Sequence, residues 1–281
     1  MKRSKALLTV ATVVLVAACA SAGIGQPSST SGSSGSSAIA TASASTLAAS
    51  LTPSPSTTTP TASLDTAIPL HADCSSSSPC ALTAGTWVTA GEYSFIPGLH
   101  ITVPDGWESQ EQNLGEFSLD PLDHPNDRIF LWKDVAAITS DGSARLVPGV
   151  PRTPIGLTAY FRGDRDFVVS AQATATIAGG IRTLTYVVGV SPSAKYTNHE
   201  CPAYPHCADL LKDPAHWSSE SYGIGAPEVV RLYLATIGSG GDTHLLVIAL
   251  DAPSAKELER LTKVAAPIIA SIRLPPVIGS Q

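Results

Sequence analysis

The predicted fold rests first on "PEVVRLYLATIGSGGDTHLLVIALD", residues 227–251. Two runs of apolar and β-branched residues flank Ser239-Gly240-Gly241. Two strand-like runs joined by a few residues that include glycine are typical of a β-hairpin. The stretch therefore predicts a long antiparallel hairpin.

A second hairpin is predicted upstream. "DFVVSAQATATIAGGIRTLTYVVGV", residues 166–190, again places two β-rich runs around a glycine pair, Gly179-Gly180. Further strands are expected in three places. Residues 99–103 alternate apolar and polar side chains before a "PDG" turn, residues 116–119 form a short run, and residues 127–138 carry apolar groups on both faces. A strand that is apolar on both faces is expected at the centre of the sheet.

Two helices complete the pattern. Thr153 before Pro154 predicts a capped helix over Pro154 to Arg162, because proline favours the first helical position. Ser254 with Glu257 forms a capping box ahead of a run of helical period, in which Pro267 should produce a kink or an end. The sequence thus predicts an α+β fold, with a central antiparallel sheet, an inserted helix and a C-terminal amphipathic helix.

The N-terminus reads as an export signal. A positively charged start precedes an apolar stretch from Ala6 to Val16, which is too short to span a membrane comfortably. Val16-Ala17-Ala18-Cys19 resembles the lipobox of bacterial lipoproteins. The resemblance implies a signal peptide over residues 1–18, acyl chains such as palmitate on Cys19, and a protein anchored at the extracytoplasmic face of the cell membrane. The alternative is ordinary cleavage after Ala22, which would release the protein.

Residues 19–68 form a predicted tether. Ser, Thr, Pro, Ala and Gly dominate, and no charged residue occurs between Ala20 and Leu64. Such a segment lacks the large apolar side chains that offset chain entropy, so it is expected to be disordered and to span about 35–40 Å. A glycosylated stalk would have the same composition. The single globular domain is expected over residues 69–281.

Charge excludes one class of partner. The chain has 17 basic and 23 acidic residues, and without the three basic residues of the signal its formal charge falls from −6 to −9. An acidic domain without a basic cluster is unsuited to binding the phosphate backbone of nucleic acid. It also offers no polybasic patch for anionic lipid, so membrane attachment would depend on Cys19.

Four cysteines lie in the predicted domain, as the pairs Cys74/Cys80 and Cys201/Cys207. In an exported chain they favour disulfides, with three connectivities open and the two local bridges preferred. The alternative is a zinc site in "TNHECPAYPHC", residues 197–207, where histidines accompany Cys201 and Cys207. A reactive thiol is disfavoured because neither pair leaves a cysteine unmatched. We predict no metal and no cofactor.

The long segment over residues 191–226 is the candidate functional region, because ordered connections of this length are often functional. Its aromatic and histidine side chains could form a recognition surface. The candidate binding residues are Tyr204, His206, Trp217 and Tyr222. The alternative is that these rings pack over one end of the sheet.

Two other motifs carry weaker signals. "SESYG", residues 219–223, falls near the elbow of serine hydrolases, but no strand of branched residues precedes Ser221. "DPLDHPND", residues 120–127, is rich in oxygen ligands without the spacing of a calcium loop, and it is read as a solvated turn. Trp87, Trp107 and Trp132 are expected in the core.

"LHITVPDGWE", the Gly179-Gly180 hairpin and a closing helix that ends in "IIASIRL" together resemble bacterial lipoproteins of the PsbP-like fold. The resemblance covers much of Thr86 to Leu274 and implies an extracytoplasmic accessory role without catalytic residues. The expected function is a non-enzymatic binding or accessory module for a protein, cell-wall or small apolar partner. The alternative is a metal-dependent or hydrolytic envelope enzyme that uses the 199–221 loop.

Overall fold

A computed structural model describes residues 67–70, 74–75, 77–91, 94–110, 112–177, 180–196, 204–217, 221–240 and 242–275. The predicted signal, Cys19, the tether up to residue 66 and Cys201 lie outside the described residues. Contacts divide the chain into Met1–Thr58 and Thr59–Gln281, and every described residue belongs to the second unit. None of the described helices combines the length and apolar character that a membrane span needs.

The described residues contain fifteen strands and two helices. The helices are α1 (Pro154–Gly163) and α2 (Ala255–Ser271). The strands are β1 (Ile68–Leu70), β2 (Cys80–Leu82), β3 (Gly85–Thr89), β4 (His100–Val103), β5 (Trp107–Ser109), β6 (Glu116–Pro121), β7 (Arg128–Lys133), β8 (Ala136–Ala137), β9 (Phe167–Val169), β10 (Ala173–Ile177), β11 (Ile181–Val190), β12 (Cys207–Lys212), β13 (Tyr222–Gly225), β14 (Val229–Ser239) and β15 (Asp242–Ala252).

The main sheet has nine strands in the order β10-β11-β14-β15-β7-β6-β5-β2, and β9 also pairs with β11. The pairings within it are antiparallel. β14 and β15 form the predicted hairpin, with Ser239 opposite Asp242. The large antiparallel sheet with two helices is consistent with the predicted α+β fold, although strands make up most of the regular structure.

Both faces of the sheet centre are covered, which explains the continuous apolar run of β15. Leu246, Ile248 and Leu250 belong to one hydrophobic core, whereas Leu245 and Val247 belong to a second core on the opposite face. Successive side chains of a strand point to opposite faces, so a strand between two cores must be apolar at every position.

Helix α2 covers the first core. Ser254 caps it by accepting a hydrogen bond from the Glu257 amide, as the capping box predicts. Its buried residues follow the helical period and include Leu258 and Leu261. The prediction that Pro267 could end the helix is wrong, because the helix continues to Ser271 and burial of Ile268 and Ile269 outweighs the one lost backbone bond.

Helix α1 packs on the second core through Leu157 and Phe161. Its predicted cap is confirmed, since Thr153 Oγ1 accepts a hydrogen bond from the Gly156 amide at 3.1 Å. The segment over residues 191–226 covers the same core, and it contains regular structure that the sequence did not indicate. β12 and β13 pair with each other, and β12 also pairs with β8 to form a small antiparallel sheet.

The predicted strand over residues 127–138 is wrong in its extent, because β7 ends at Lys133. Asp134 adopts a positive φ of 56°, which turns the chain out of the sheet. Its carboxylate contacts His244 Nδ1 at 2.6 Å and accepts a hydrogen bond from the Leu245 amide at 2.9 Å. These contacts stabilise the turn, and the chain then continues into the small sheet at β8.

A third sheet pairs β1 with β3 in parallel and β3 with β4 antiparallel. β1 begins at Ile68, the last residue of the predicted tether. The predicted disulfide between Cys74 and Cys80 is present. Of the three tryptophans expected in the core, Trp107 and Trp132 are buried and Trp87 is half-buried.

Candidate binding site

The candidate site is a cavity of about 270 Å³ at the ends of three neighbouring strands. Arg128 begins β7 and stands opposite Asp251 of β15 in the strand register. Glu228 directly precedes β14. The cavity is lined by Pro125, Asn126, Arg128, Tyr204, Glu228, Asp251 and Pro253. We call it the carboxyl pocket.

Arg128, which lines the pocket, is anchored by an ion pair with the buried Asp120. Its Nε lies 2.9 Å from both carboxylate oxygens of Asp120, and a terminal nitrogen lies 2.8 Å from Asp120 Oδ2. That nitrogen also donates to Gln110 Oε1 at 3.1 Å. Asp120 is almost fully buried, and burial raises its pKa although the bonded guanidinium opposes the rise. Asp120 and Arg128 therefore neutralise each other inside the fold.

The prediction that residues 120–127 form a solvated turn is wrong at both ends. Asp127 is buried as well, and its carboxylate pairs with Arg260, which also bonds Glu257 at 2.9 Å. Ligand atoms of His124, Asp127 and Glu257 lie within 4.8 Å of one another. A metal ion there would compete with the guanidinium of Arg260, so the group is better explained as an ion-pair network.

Glu228 and Asp251 form a coupled carboxyl pair. A short turn positions Glu228, because its Oε2 accepts the Gly225 amide at 2.8 Å and its own amide bonds the Gly225 carbonyl at 2.8 Å. Burial raises the pKa of both carboxyls, and the neighbouring Glu228 raises that of Asp251 further, against a smaller opposing effect of Arg128. The raised pKa favours the protonated form of the Asp251 carboxyl beside Glu228.

Two tyrosines border the pair. Tyr222 lies beside Asp251, and burial raises the pKa of its hydroxyl well above 10. The Tyr222 ring packs on Trp132 at 4.6 Å between centroids. Tyr204 lies against Gly225, where an added Cβ would stand 2.1 Å from Tyr204 Cδ2. A glycine is therefore required at position 225 for Tyr204 to form one wall of the pocket.

The structure separates the four predicted binding residues. Tyr204 lines the pocket, and Tyr222 borders its carboxyl pair. Trp217 is 9% exposed and packs edge-to-face on Trp132, so it lies in the second core. The His206 Nδ1 lies 2.7 Å from the Ala194 carbonyl oxygen. A binding role for each of the four stays a prediction.

Sequence reasoning did not single out Arg128, Glu228 or Asp251. One signal was present: Asp251 ends an unbroken apolar run, and Glu228 stands directly before a strand-like run that is mostly apolar. A carboxylate at the buried end of a central strand requires a partner or a role. The sequence could not show that the two strand ends meet at Arg128.

The loop that suggested zinc or a nucleophile is described in part. Cys207 is disulfide-bonded, whereas its expected partner Cys201 and the nearby His199 lie outside the described residues. Ser221 directly precedes strand β13. A hydrolase elbow requires a turn from a strand into a helix. Among the described residues, Ser221 therefore lacks the setting of such a nucleophile.

The sequence matches no protein-family model and no curated protein. Similar solved structures include a protein of Bacteroides thetaiotaomicron, at 8% identity and a TM-score of 0.34 over 69% of this chain; the chain spans 49% of that protein. Another is LpqN, involved in cell envelope biogenesis of Mycobacterium tuberculosis, at 15% identity and a TM-score of 0.36 over 70% of this chain and 91% of LpqN.

A further similar structure is the cyanobacterial PsbP of Synechocystis, at 9% identity and a TM-score of 0.34 over 69% of this chain and 95% of that protein. A PsbP protein is thus among the structural neighbours. These TM-scores are too low to carry an argument about fold or function, so the closer assignment to the PsbP-like fold stays a prediction.

Replacing Asp251 with asparagine is expected to stabilise the fold at neutral pH. The pKa of Asp251 is raised in the folded protein. Asp251 therefore makes its full contribution to the stability of the fold below its unfolded-state pKa of about 4, and that contribution is lost as the pH rises through its folded-state pKa. Asparagine has no such titration. Denaturant unfolding between about pH 5 and about pH 8 should show the advantage of Asp251→Asn growing with pH.

The matched control is Asp242→Asn, which removes a carboxylate from the exposed end of the same strand. Its stability relative to the unchanged protein should not vary over this pH range. An advantage of Asp251→Asn that shrinks as the pH rises would contradict the assignment of a proton to Asp251.

Proposed function

We propose that the protein is a membrane-anchored, extracytoplasmic binding module that holds a small polar ligand in the carboxyl pocket. One observation carries the proposal: buried Asp251, its partner Glu228 and the insertion residue Tyr204 converge on one cavity. Small-molecule sites combine a concave shape with a few convergent polar groups and perturbed pKa values. The carboxyl pocket has these features.

Anchoring is supported by the sequence. The lipobox-like Val16-Ala17-Ala18-Cys19 implies acylation of Cys19, and the uncharged segment that follows would hold the domain away from the bilayer. The disulfide between Cys74 and Cys80 suits an oxidising compartment outside the cytoplasm. A PsbP-like fold is part of the same proposal and accords with the antiparallel sheet and the closing helix α2.

Binding without catalysis accounts for the pocket better than hydrolysis does. Glycosidases hold their two carboxyl groups at least about 5 Å apart so that the sugar can lie between them. Glu228 and Asp251 instead interact directly with each other, and burial raises the pKa of both. The Nδ1 of His206 is engaged by a backbone carbonyl, and Cys207 is disulfide-bonded. These contacts weigh against the alternative of a loop-based envelope enzyme.

The binding role can be tested on the full chain. Native mass spectrometry of protein extracted gently from membranes is expected to detect a retained small molecule. Gly225→Ala should lose that molecule, because the new Cβ would clash with Tyr204. Gly163→Ala is the control, since its Cβ would meet no atom within 4 Å. No retained ligand in the unchanged protein, or equal retention by Gly225→Ala, would refute the role of the pocket.

Replacing Cys19 with alanine is expected to move nearly all of the protein from the membrane fraction to the soluble fraction. The thiol is the only atom of the lipobox that can accept the diacylglyceryl group, and two or more acyl chains are needed for stable anchoring. The measurement is fractionation of a bacterial host, with metabolic labelling by an alkyne fatty acid. Cys74→Ala is the control and should keep the label. Labelled, membrane-bound Cys19→Ala protein would contradict the anchor.

A further inference from the structure

One oxygen at the carboxyl pocket is buried without a hydrogen bond of normal geometry, although Glu228 and the Tyr222 hydroxyl lie beside Asp251. Asp251 is only 8% exposed and lines the cavity, and this oxygen is its Oδ1. A buried carboxylate oxygen without a donor costs free energy, so such atoms mark places where a ligand donor belongs. We propose that the pocket recognises the primary ammonium group of a small ligand, bound between Glu228 and Asp251. This inference rests on the proposed binding function and names the ligand class.

Charge supports a cationic ligand. Among the described residues that line the pocket, Arg128 is the one cation, and it is already engaged by Asp120 and Gln110. The ion pair of Asp120 and Arg128 is neutral as a unit. Glu228 and Asp251 therefore leave the pocket with a negative balance, and an ammonium group with three N–H donors can reach both carboxyls.

The size and lining of the pocket favour an organic cation over a metal ion. A cavity of about 270 Å³ holds a single ring or an amino acid, which is far larger than an ion. Among the described residues, the group of three candidate metal donors includes neither Glu228 nor Asp251. Tyr204, Pro125 and Pro253 supply apolar walls beside the carboxyls, and Tyr204 can also contact a cation through its ring.

Binding would exchange a proton for the ammonium group. Before binding, the raised pKa favours a proton on Asp251; on binding, that proton leaves to solvent and the ammonium group donates to both carboxylates. The groups that face Asp251 are Glu228, Tyr222, Tyr204 and Arg128. Burial raises the pKa of both tyrosines, and the pKa of Arg128 is raised as well, so these three groups keep their protons and the proton released on binding comes from the carboxyl pair. Affinity should therefore rise with pH, approaching about tenfold per unit.

The test uses the full chain in detergent and two probes of the same shape. Cyclohexylamine carries an ammonium group at neutral pH, whereas cyclohexanol replaces it with a hydroxyl. Calorimetry is expected to show cyclohexylamine binding at least about tenfold more tightly than cyclohexanol, and more tightly at about pH 8 than at about pH 6. Equal binding of both probes, no binding of either, or affinity that falls with pH would overturn the proposal.

Variants locate the site. Asp251→Asn, which is expected to fold more stably, should weaken cyclohexylamine binding by at least about tenfold, and Asp242→Asn should not change it. Unchanged affinity in Asp251→Asn would also overturn the proposal.

The ammonium proposal and the proposed binding function can fail separately. If Gly225→Ala loses a retained native ligand but the protein does not bind cyclohexylamine, the ammonium proposal is rejected and the binding role stands. If the unchanged protein retains no ligand at all, the binding role itself is rejected.

Discussion

Replacing Arg128 with glutamine should destabilise the fold by about 3–5 kcal/mol, because it leaves the Asp120 carboxylate buried without its partner. The pair links β6 to β7, and Arg128 lines the carboxyl pocket. Denaturant unfolding at neutral pH measures the loss. Burial already raises the pKa of Asp120, so the variant should recover stability as the pH falls and the carboxyl takes up a proton.

Two controls separate the buried pair from ordinary surface charge. Arg145→Gln breaks an exposed pair with Asp141 and should cost no more than about 1 kcal/mol. The double variant Asp120→Leu/Arg128→Met removes both charges and should be markedly more stable than Arg128→Gln, since a buried ion pair can often be replaced by apolar groups at little cost. A loss in Arg128→Gln no larger than that of Arg145→Gln would contradict this account.

Replacing Trp132 with alanine is expected to cost about 3–5 kcal/mol by leaving a cavity in the second core. Trp132 is fully buried and is contacted by three other rings, those of Phe130, Trp217 and Tyr222. Because Tyr222 connects this cluster to Asp251, the change should also weaken ligand binding in the pocket. Equilibrium unfolding measures the first effect, and calorimetry with cyclohexylamine measures the second.

Ile155→Ala is the matched control, because Ile155 is 75% exposed on helix α1 and its truncation should change stability by no more than about 0.5 kcal/mol. Trp132→Phe should lie between the two, since a smaller ring keeps part of the packing. If Trp132→Ala unfolds at the same denaturant concentration as Ile155→Ala, the aromatic cluster does not stabilise the sheet.

The sequence was most informative where local rules and burial agree. The hairpin of β14 and β15 follows from two apolar runs around a glycine turn, and the start of α2 follows from the Ser254 and Glu257 capping box. It was least informative in the segment over residues 191–226, where β12 and β13 pair across a long connection. Pairing between distant segments leaves no short-range pattern, so these strands were missed.

In the candidate site, too, some residues could be predicted from the local sequence and others could not. Tyr204 could be nominated from the sequence because a clipped loop that presents aromatic residues is typical of recognition surfaces. Arg128 and Asp251 lie more than a hundred positions apart and meet because β7 and β15 are neighbours in register. Their pairing is a property of the sheet order, which no local sequence pattern encodes.

Composition, periodicity and capping by themselves predicted an antiparallel sheet and two capped helices, and the lipobox resemblance adds the prediction of an exported, lipid-anchored chain. These features depend on residues that are close in sequence and on the separation of apolar from polar positions. Only the tertiary structure shows which charged residues lie close together in the interior of the protein. The effect of a carboxylate depends on its burial and on the charges within a few ångströms of it, and for Asp251 both come from other strands and from the turn before β14.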